Sequence, residues 1–385
     1  MNRATLKNCR RIVVKVGTST ITHPNGTLNL RRMERIARSL ADLRNQGREV
    51  ILVSSGAVGA GMGRVGLAVK PASLPVRQAL AAIGQGLVVG EYEKLFGEYG
   101  HTAAQVLVTR DAFGDRSRYL NICHTFRALL ELGAVPVVNE NDTVAVDEIK
   151  FGDNDTLSAL VACAAGADLL IILSDIDGLY TADPRLDPSA KLIHQVETIC
   201  QKIRDGSGSK GSNASSGGMF TKLAAADIVR SAGIPLVIAK GSEDGVLYRI
   251  LDGEELGTLF LPAPTPERAR KGWIAWGDVP HGRVTVDAGA AAALCLKGGS
   301  LLPSGVTGVS GDFGAGRVVS VCGPSGEEIA RGLVNCDSRS LAKIAGCQTD
   351  QIESLLGAKD YDEVMHRDNM LVRPVANGPE RGKDE

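Results

Sequence analysis

Two lysines and a set of carboxylates carry the chemistry this sequence could do. Lys15 interrupts the apolar run Arg11-Ile-Val-Val-Lys-Val-Gly17 and is followed by Thr18, Ser19 and Thr20. An unpaired ammonium in a buried strand is costly, so Lys15 needs a partner or a phosphate, the alternative being a lysine that snorkels from an edge strand. Lys222 follows Ser215-Ser-Gly-Gly-Met-Phe-Thr221 at the start of a helix-compatible run. Glycines before a helix N-terminus, with a lysine in its first turn, favour an anionic phosphate. Between the lysines, Val138 to Asp155 reads VNENDTVAVDEIKFGDND, with Glu140, Asp142, Asp147, Glu148, Asp153 and Asp155 against a single lysine. Phosphoryl transfer suits such a set, because it needs positive charge on the moving group and tight positioning, with little covalent work from the protein. A carboxylate between the lysines would hold them apart and aimed, and Asp155 is the candidate. Asp142 suits an ammonium-bearing substrate. Mg²⁺ would bridge the nucleotide phosphates, with no metal-ligand cluster expected in the chain itself.

The elements that must position these groups alternate between strands and helices. Val50 to Val53, Ala104 to Val108, Ala134 to Val138, Leu169 to Leu173 and Pro235 to Ala239 are apolar strands. Amphipathic spacing over Leu30 to Gln46 predicts a helix with Met33, Ile36, Ala37, Leu40 and Leu43 on one face. Helices are also predicted over Pro75 to Tyr99, broken near Gly84-Gln-Gly86, and over Tyr119 to Leu132, Thr156 to Ala165 and Met219 to Ala232. The alternation implies βαβ units and a mostly parallel sheet. Ser55, the Asn139 to Asp142 segment and Asp175 then fall at strand ends, where open α/β sheets bind ligands.

Gly61-Met-Gly-Arg-Val-Gly66 fits G-x-G-x-x-G. It does not follow directly from a strand and has no acidic residue about 20 positions on, so a dinucleotide fingerprint is rejected in favour of a loop that lets substrate or phosphate approach the backbone. No G-x-x-x-x-G-K-[ST] occurs, so the phosphate site is not a P-loop. Asp205 to Gly218 (DGSGSKGSNASSGG) is flexible by composition, either a surface linker or a lid over a nucleotide.

Hydrophobic content of 44%, charged content of 23% and a net charge of -1 fit a soluble globular protein with no global field for nucleic acid or anionic membrane. None of the 8 cysteines forms a CxxC pair, and buried reduced thiols in a reducing cytosol are expected. The N-terminus lacks the apolar length of a signal peptide or a membrane span, so a cytoplasmic location is expected. Proline and charge after Thr258 mark a domain boundary, and short strands with frequent glycines beyond it predict a small β-rich, barrel-like module. The expected division is 1–262 for the first domain, 263–278 for a linker, 279–372 for the second domain and 373–385 for a disordered tail. Between His281 and Leu355, seven acidic residues offset six basic ones. A nucleic-acid module is usually distinctly basic, which disfavours RNA as a partner.

The segments IVVKVGTST, VSSGAVGAG, PVVNENDTVA, EIKFGDNDTLSA, ILSDIDGLYTADPR and SSGGMFTKLAAADI occur in that order. Together they resemble the glutamate 5-kinase family of the amino acid kinase superfamily, from Arg11 to about Arg373. The C-terminal module resembles the PUA domain. The resemblance implies a three-layer αβα sandwich with a mainly parallel sheet, followed by the small β-rich domain. It implies that ATP phosphorylates the γ-carboxylate of L-glutamate to glutamyl 5-phosphate, the first step of proline synthesis, with Mg²⁺ and with proline as feedback inhibitor. A homo-oligomer (dimer or tetramer) and glutamyl phosphate reductase as a partner are expected on the same ground.

By matching motif, Lys15 contacts ATP, and Ser55, Asp142 and Asn154 bind glutamate. Ser174 and Asp175, with Ser216, Gly217, Gly218, Met219, Phe220, Thr221 and Lys222, form the nucleotide segments. Lys15 and Lys222 stabilise the phosphoryl group, and Asp155 organises them. Ser174 stands where threonine is common, and Phe220 where a small polar residue is common. A kinase for aspartate or acetylglutamate is the sibling alternative, and an RNA-directed protein led by the C-terminal module is the alternative from another class.

Overall fold

The computed structural model describes residues 2–145, 154–184, 187–206, 218–263, 280–357 and 362–372. The described residues fall into two compact units, the first drawn from residues 2–113 and 117–263 and the second including residues 280–372. Residues 264–278 of the expected linker, and the expected tail, lie outside the described residues.

In chain order the first unit contains β1 (Arg11–Val16), α1 (Thr18–Ile21), α2 (Leu30–Asn45), β2 (Glu49–Ser54), α3 (Ala57–Val65), α4 (Leu74–Glu98), β3 (Ala103–Val108), α5 (Arg110–Gly114), α6 (Arg116–Glu131), β4 (Val135–Glu140) and α7 (Asn154–Ala165). It continues with β5 (Leu169–Ser174), β6 (Leu179–Tyr180), β7 (Leu192–Ile193), β8 (Gln195–Val196), α8 (Gln201–Gly206), α9 (Met219–Ser231), β9 (Leu236–Lys240), α10 (Val246–Leu251) and β10 (Thr258–Phe260). Eight strands form one sheet in the order β3-β4-β2-β1-β5-β9-β10-β8. Every pairing in it is parallel except β9 with β10.

Helices cover both faces, giving the three layers. The strands therefore bury side chains on both sides and read as continuous apolar runs, as Leu169–Leu173 does. On one face Val14, Val16, Leu52, Val137 and Ile171 pack with Met33 and Leu40 of α2, Val88 and Phe96 of α4 and Ile250 of α10. Each such fully buried aliphatic side chain contributes on the order of 1.5–3 kcal/mol. Helices α7 and α9 pack together, α7 against β1, β2, β4 and β5, and α9 against β9. Side chains alternate along β1, so Lys15, between Val14 and Val16, points to the face that α7 covers.

Two expectations about glycine are corrected. The segment that fits G-x-G-x-x-G is not a loop: Gly61 and Gly63 lie inside α3, and Gly66 ends that helix with φ 75°. Nor is α4 broken, since it runs unbroken through Gly84 and Gly86. A side chain on Gly61 would collide with the Leu80 carbonyl, and one on Gly84 with the Ala57 carbonyl. These glycines let α3 and α4 pack backbone against backbone.

The second unit carries β11 (Gly282–Val286), β12 (Val306–Gly311), β13 (Val318–Cys322), β14 (Glu328–Leu333) and β15 (Met370–Val372), ordered β12-β11-β13-β14-β15. Its helix Ala288–Lys297 is capped by Asp287, whose carboxylate accepts from the Ala290 amide at 2.7 Å. Val284, Val286, Val319, Val321, Leu341 and Met365 belong to a core of its own.

Candidate active site

The C-terminal ends of the parallel strands bring the predicted groups together. Lys15 Nζ lies 2.5 Å from Asp155 Oδ1, and Lys222 Nζ lies 3.0 Å from Asp155 Oδ2. Asp155 is fully buried, and the two lysines are 5% and 4% exposed. Three charges out of water are tolerable only when they satisfy one another. Each comes from a different element: Lys15 from β1, Asp155 from the first turn of α7, and Lys222 from the first turn of α9. The positive end of α7 further favours the carboxylate. The Thr221 hydroxyl donates to the Gly218 carbonyl at 2.7 Å and sits 3.2 Å from Asp155 Oδ2. It thereby ties the start of α9 to the same carboxylate.

Beside this triad lies a chain of amides. Asn154 Nδ2 donates to Ser55 Oγ at 2.9 Å and to Asn139 Oδ1 at 2.8 Å. Asn139 Nδ2 in turn donates to Gln85 Oε1 at 2.8 Å. Ser55 follows β2 directly, and its amide donates to the Val16 carbonyl at 3.1 Å, so it sits against the end of β1. Asp142 lies in the turn after β4 and is half-buried. The Asn141 amide donates to Val108 O at 2.9 Å at one end of that turn, and Gln78 Nε2 donates to Ala145 O at 3.0 Å at the other.

Ser174 and Asp175 close β5, next to β1. The buried Ser174 hydroxyl donates to Asp175 Oδ1 at 3.1 Å. In register with Ser174, Lys240 ends β9, and its Nζ lies 3.4 Å from Asp177 Oδ1. Tyr180 donates to Asp177 Oδ2 at 2.9 Å, and this bond raises the phenol above its ordinary pKa. Gly218 is the N-cap of α9, Met219 opens it, and Phe220 is 57% exposed. Ser216 and Gly217 lie outside the described residues, as do Asp147, Glu148 and Asp153. A cavity of about 900 Å³ lined by Thr18, Ser19, Asn25, Arg32, Gly59 and Met62 flanks the end of β1, but no member of the lysine–aspartate triad lines it.

Sequence reasoning did not single out Gln85, Gln78, Asp177 or Lys240. Lys240 had a visible signal, a lysine ending an apolar strand just before a glycine. Gln85 had none, because its partner is 54 positions away.

Two ammonium groups thus share one buried carboxylate where β1 ends and α7 and α9 begin. The amino acid kinase family matches residues 10–240, and the PUA domain matches residues 282–356. The glutamate 5-kinase of Moorella thermoacetica is 54% identical over 370 residues, which cover 96% of this chain and 98% of that protein. That of Caldanaerobacter subterraneus subsp. tengcongensis is 55% identical over 362 residues, covering 94% and 97%. That of Carboxydothermus hydrogenoformans is 53% identical over 371 residues, covering 96% and 99%. Fold and site define an amino acid kinase with a C-terminal PUA domain. Within that class, the chain belongs to the glutamate 5-kinase family.

Proposed function

We propose that this protein transfers the γ-phosphoryl group of ATP to the γ-carboxylate of L-glutamate, giving L-glutamyl 5-phosphate and ADP. The observation that carries this reading is the buried Lys15–Asp155–Lys222 triad. A carboxylate oxygen of glutamate attacks the γ-phosphorus, and the bond to the ADP oxygen breaks in line with it. No proton has to be removed, because a carboxylate with a pKa near ~4.3 is already anionic at neutral pH. The site therefore needs positive charge and alignment rather than a general base, and it offers both.

Lys15 and Lys222 face the charge spread over the phosphoryl oxygens, and Asp155 keeps them apart and aimed. The start of α9, with its Gly218 cap, receives phosphate oxygens on backbone amides. Ser174, Asp175 and the segment Ser216 to Lys222 hold the nucleotide. Ser55, Asp142 and Asn154 hold glutamate, with Asp142 on its ammonium group. ATP is the co-substrate and Mg²⁺ accompanies it. Among the described residues no group of three or more potential ligands could hold a metal ion. When bound, Mg²⁺ would supply positive charge against the nucleotide phosphates.

The product opens proline synthesis in the cytoplasm, with proline as feedback inhibitor, a homo-oligomer as the working state and glutamyl phosphate reductase as the recipient. The test is ATP- and Mg²⁺-dependent hydroxamate formation with L-glutamate, L-aspartate and N-acetyl-L-glutamate. The reading predicts hydroxamate from L-glutamate alone, and a preference for either other acid would overturn it.

A further inference from the structure

The amide chain behind the substrate pocket has a direction, and that direction has a chemical consequence. Asn154 uses its NH₂ group twice, toward Ser55 Oγ and toward Asn139 Oδ1. Its own carbonyl oxygen is then left as an acceptor facing away from both. Ser55 Oγ receives a hydrogen bond from Asn154, so its O–H is left to donate elsewhere. The sense of Asn154 is set by Asn139, which must offer oxygen rather than nitrogen. Asn139 in turn gives its NH₂ group to Gln85, whose Oε1 accepts at 2.8 Å. Gln85 is 9% exposed and Asn139 is 4% exposed, so water does not readily replace either bond.

Gln85 sits on α4, seven residues after Gln78, on the same side of the helix. Gln78 holds the Ala145 carbonyl. The two glutamines thus hold both ends of the segment Asn139 to Ala145, which contains Asp142. Gly84 lets α4 close onto the α3 backbone at Ala57, two residues after Ser55.

We infer that Gln85 is a positioning residue for substrate recognition: through Asn139 it fixes Asn154 with its oxygen presented to the substrate ammonium and leaves the Ser55 hydroxyl to donate to a substrate carboxylate. This deepens the glutamate reading above and rests on it. An ammonium has three donors, so Asn154 Oδ1 complements Asp142 rather than competing with it. Reversing the amides would turn an NH₂ group toward the ammonium and weaken binding of the amino acid, leaving the nucleotide site untouched.

The test compares Gln85→Met, which removes the acceptor at similar volume, with Gln85→Glu, which keeps an acceptor in place. Folding is checked by thermal melting. For Gln85→Met the expected result is a rise in the L-glutamate KM of about tenfold or more, with the ATP KM within about twofold. Competitive inhibition by glutarate, which lacks the ammonium but keeps the carboxylate that Ser55 serves, should weaken by less than glutamate binding does, so the preference for glutamate over glutarate falls. Gln85→Glu should keep the glutamate KM within about twofold of the starting protein.

Equal movement of the glutamate and ATP constants in Gln85→Met, or an unchanged preference over glutarate, would overturn the inference. If Gln85→Met does not fold, Gln85→Glu decides, and a tenfold rise in its glutamate KM would overturn it. Failure of the unaltered protein to phosphorylate L-glutamate at all would instead sink the proposed function.

Discussion

Lys15 and Lys222 sit on different layers of the fold and approach opposite oxygens of one carboxylate, at 2.5 and 3.0 Å from Asp155. Because that carboxylate is fully buried, the ammonium groups have a fixed spacing before any ligand arrives. Preorganised charge of this kind stabilises a transition state without reorganisation during the reaction.

Lys222→Ala removes one of the two charges. Turnover should fall by about 10²–10³, as for loss of one preorganised donor, while the L-glutamate KM changes little. Steady-state release of ADP measures both, and unchanged turnover would dismiss the role.

Asp155→Asn leaves two buried ammonium groups facing a neutral amide. The expected cost is about 3–5 kcal/mol of folding stability, the range for breaking a buried ion pair from one side. Urea denaturation reads it directly. Turnover should fall as well, since the lysines lose their common anchor.

Asp142 lies in a turn held at both ends, outside the triad. Asp142→Ala should raise the L-glutamate requirement by about tenfold or more and leave turnover at saturation nearly intact, as loss of a ground-state contact does. A variant altered only in ATP affinity would contradict this placement.

The cysteines give a pH prediction. Burial, with a smaller contribution from Asp168, pushes the Cys9 thiol up to about 11, and burial pushes Cys163 up to about 12. Both folded values stand above the ordinary 9.0, so the thiolate is favoured in the unfolded chain. The stability these groups supply is complete below pH 9 and is lost as pH rises from there toward 11 and 12. Denaturation midpoints should therefore be lower at about pH 10 than at about pH 8. At about pH 8 a thiol reagent should label the exposed Cys200 ahead of the buried Cys9.

The second unit should not bind tRNA tightly. Seven acidic residues against six basic ones between His281 and Leu355 leave it without the charge that drives salt-sensitive binding. A gel shift at about 50 and 200 mM salt should show no salt-dependent complex.

What the chain discloses in advance follows the range of the interaction. Strands β1, β2, β4, β5 and β9 are short apolar runs ending in small or charged residues, a local signal, and Lys15 stands out because it breaks one of them. Helix α2 shows its buried face through spacing alone, and Met33, Ile36, Ala37, Leu40 and Leu43 are all buried. The glycines of α3 and α4 misled because their meaning is tertiary: Gly61 and Gly84 are small for the sake of each other's helix, not for a ligand. Gln85 looks like any polar residue in a helix until the sheet brings Asn139 beside it. The lysine–aspartate cluster was legible as a requirement for charge balance, and its three-element geometry became visible only in the fold.

The most direct test is a crystal structure with a non-hydrolysable ATP analogue, Mg²⁺ and L-glutamate. The account predicts that Lys15 Nζ and Lys222 Nζ both lie within about 3.2 Å of γ-phosphoryl or bridging oxygens, with the glutamate γ-carboxylate in line for attack. A γ-phosphoryl group bound beyond the reach of both lysines would contradict it.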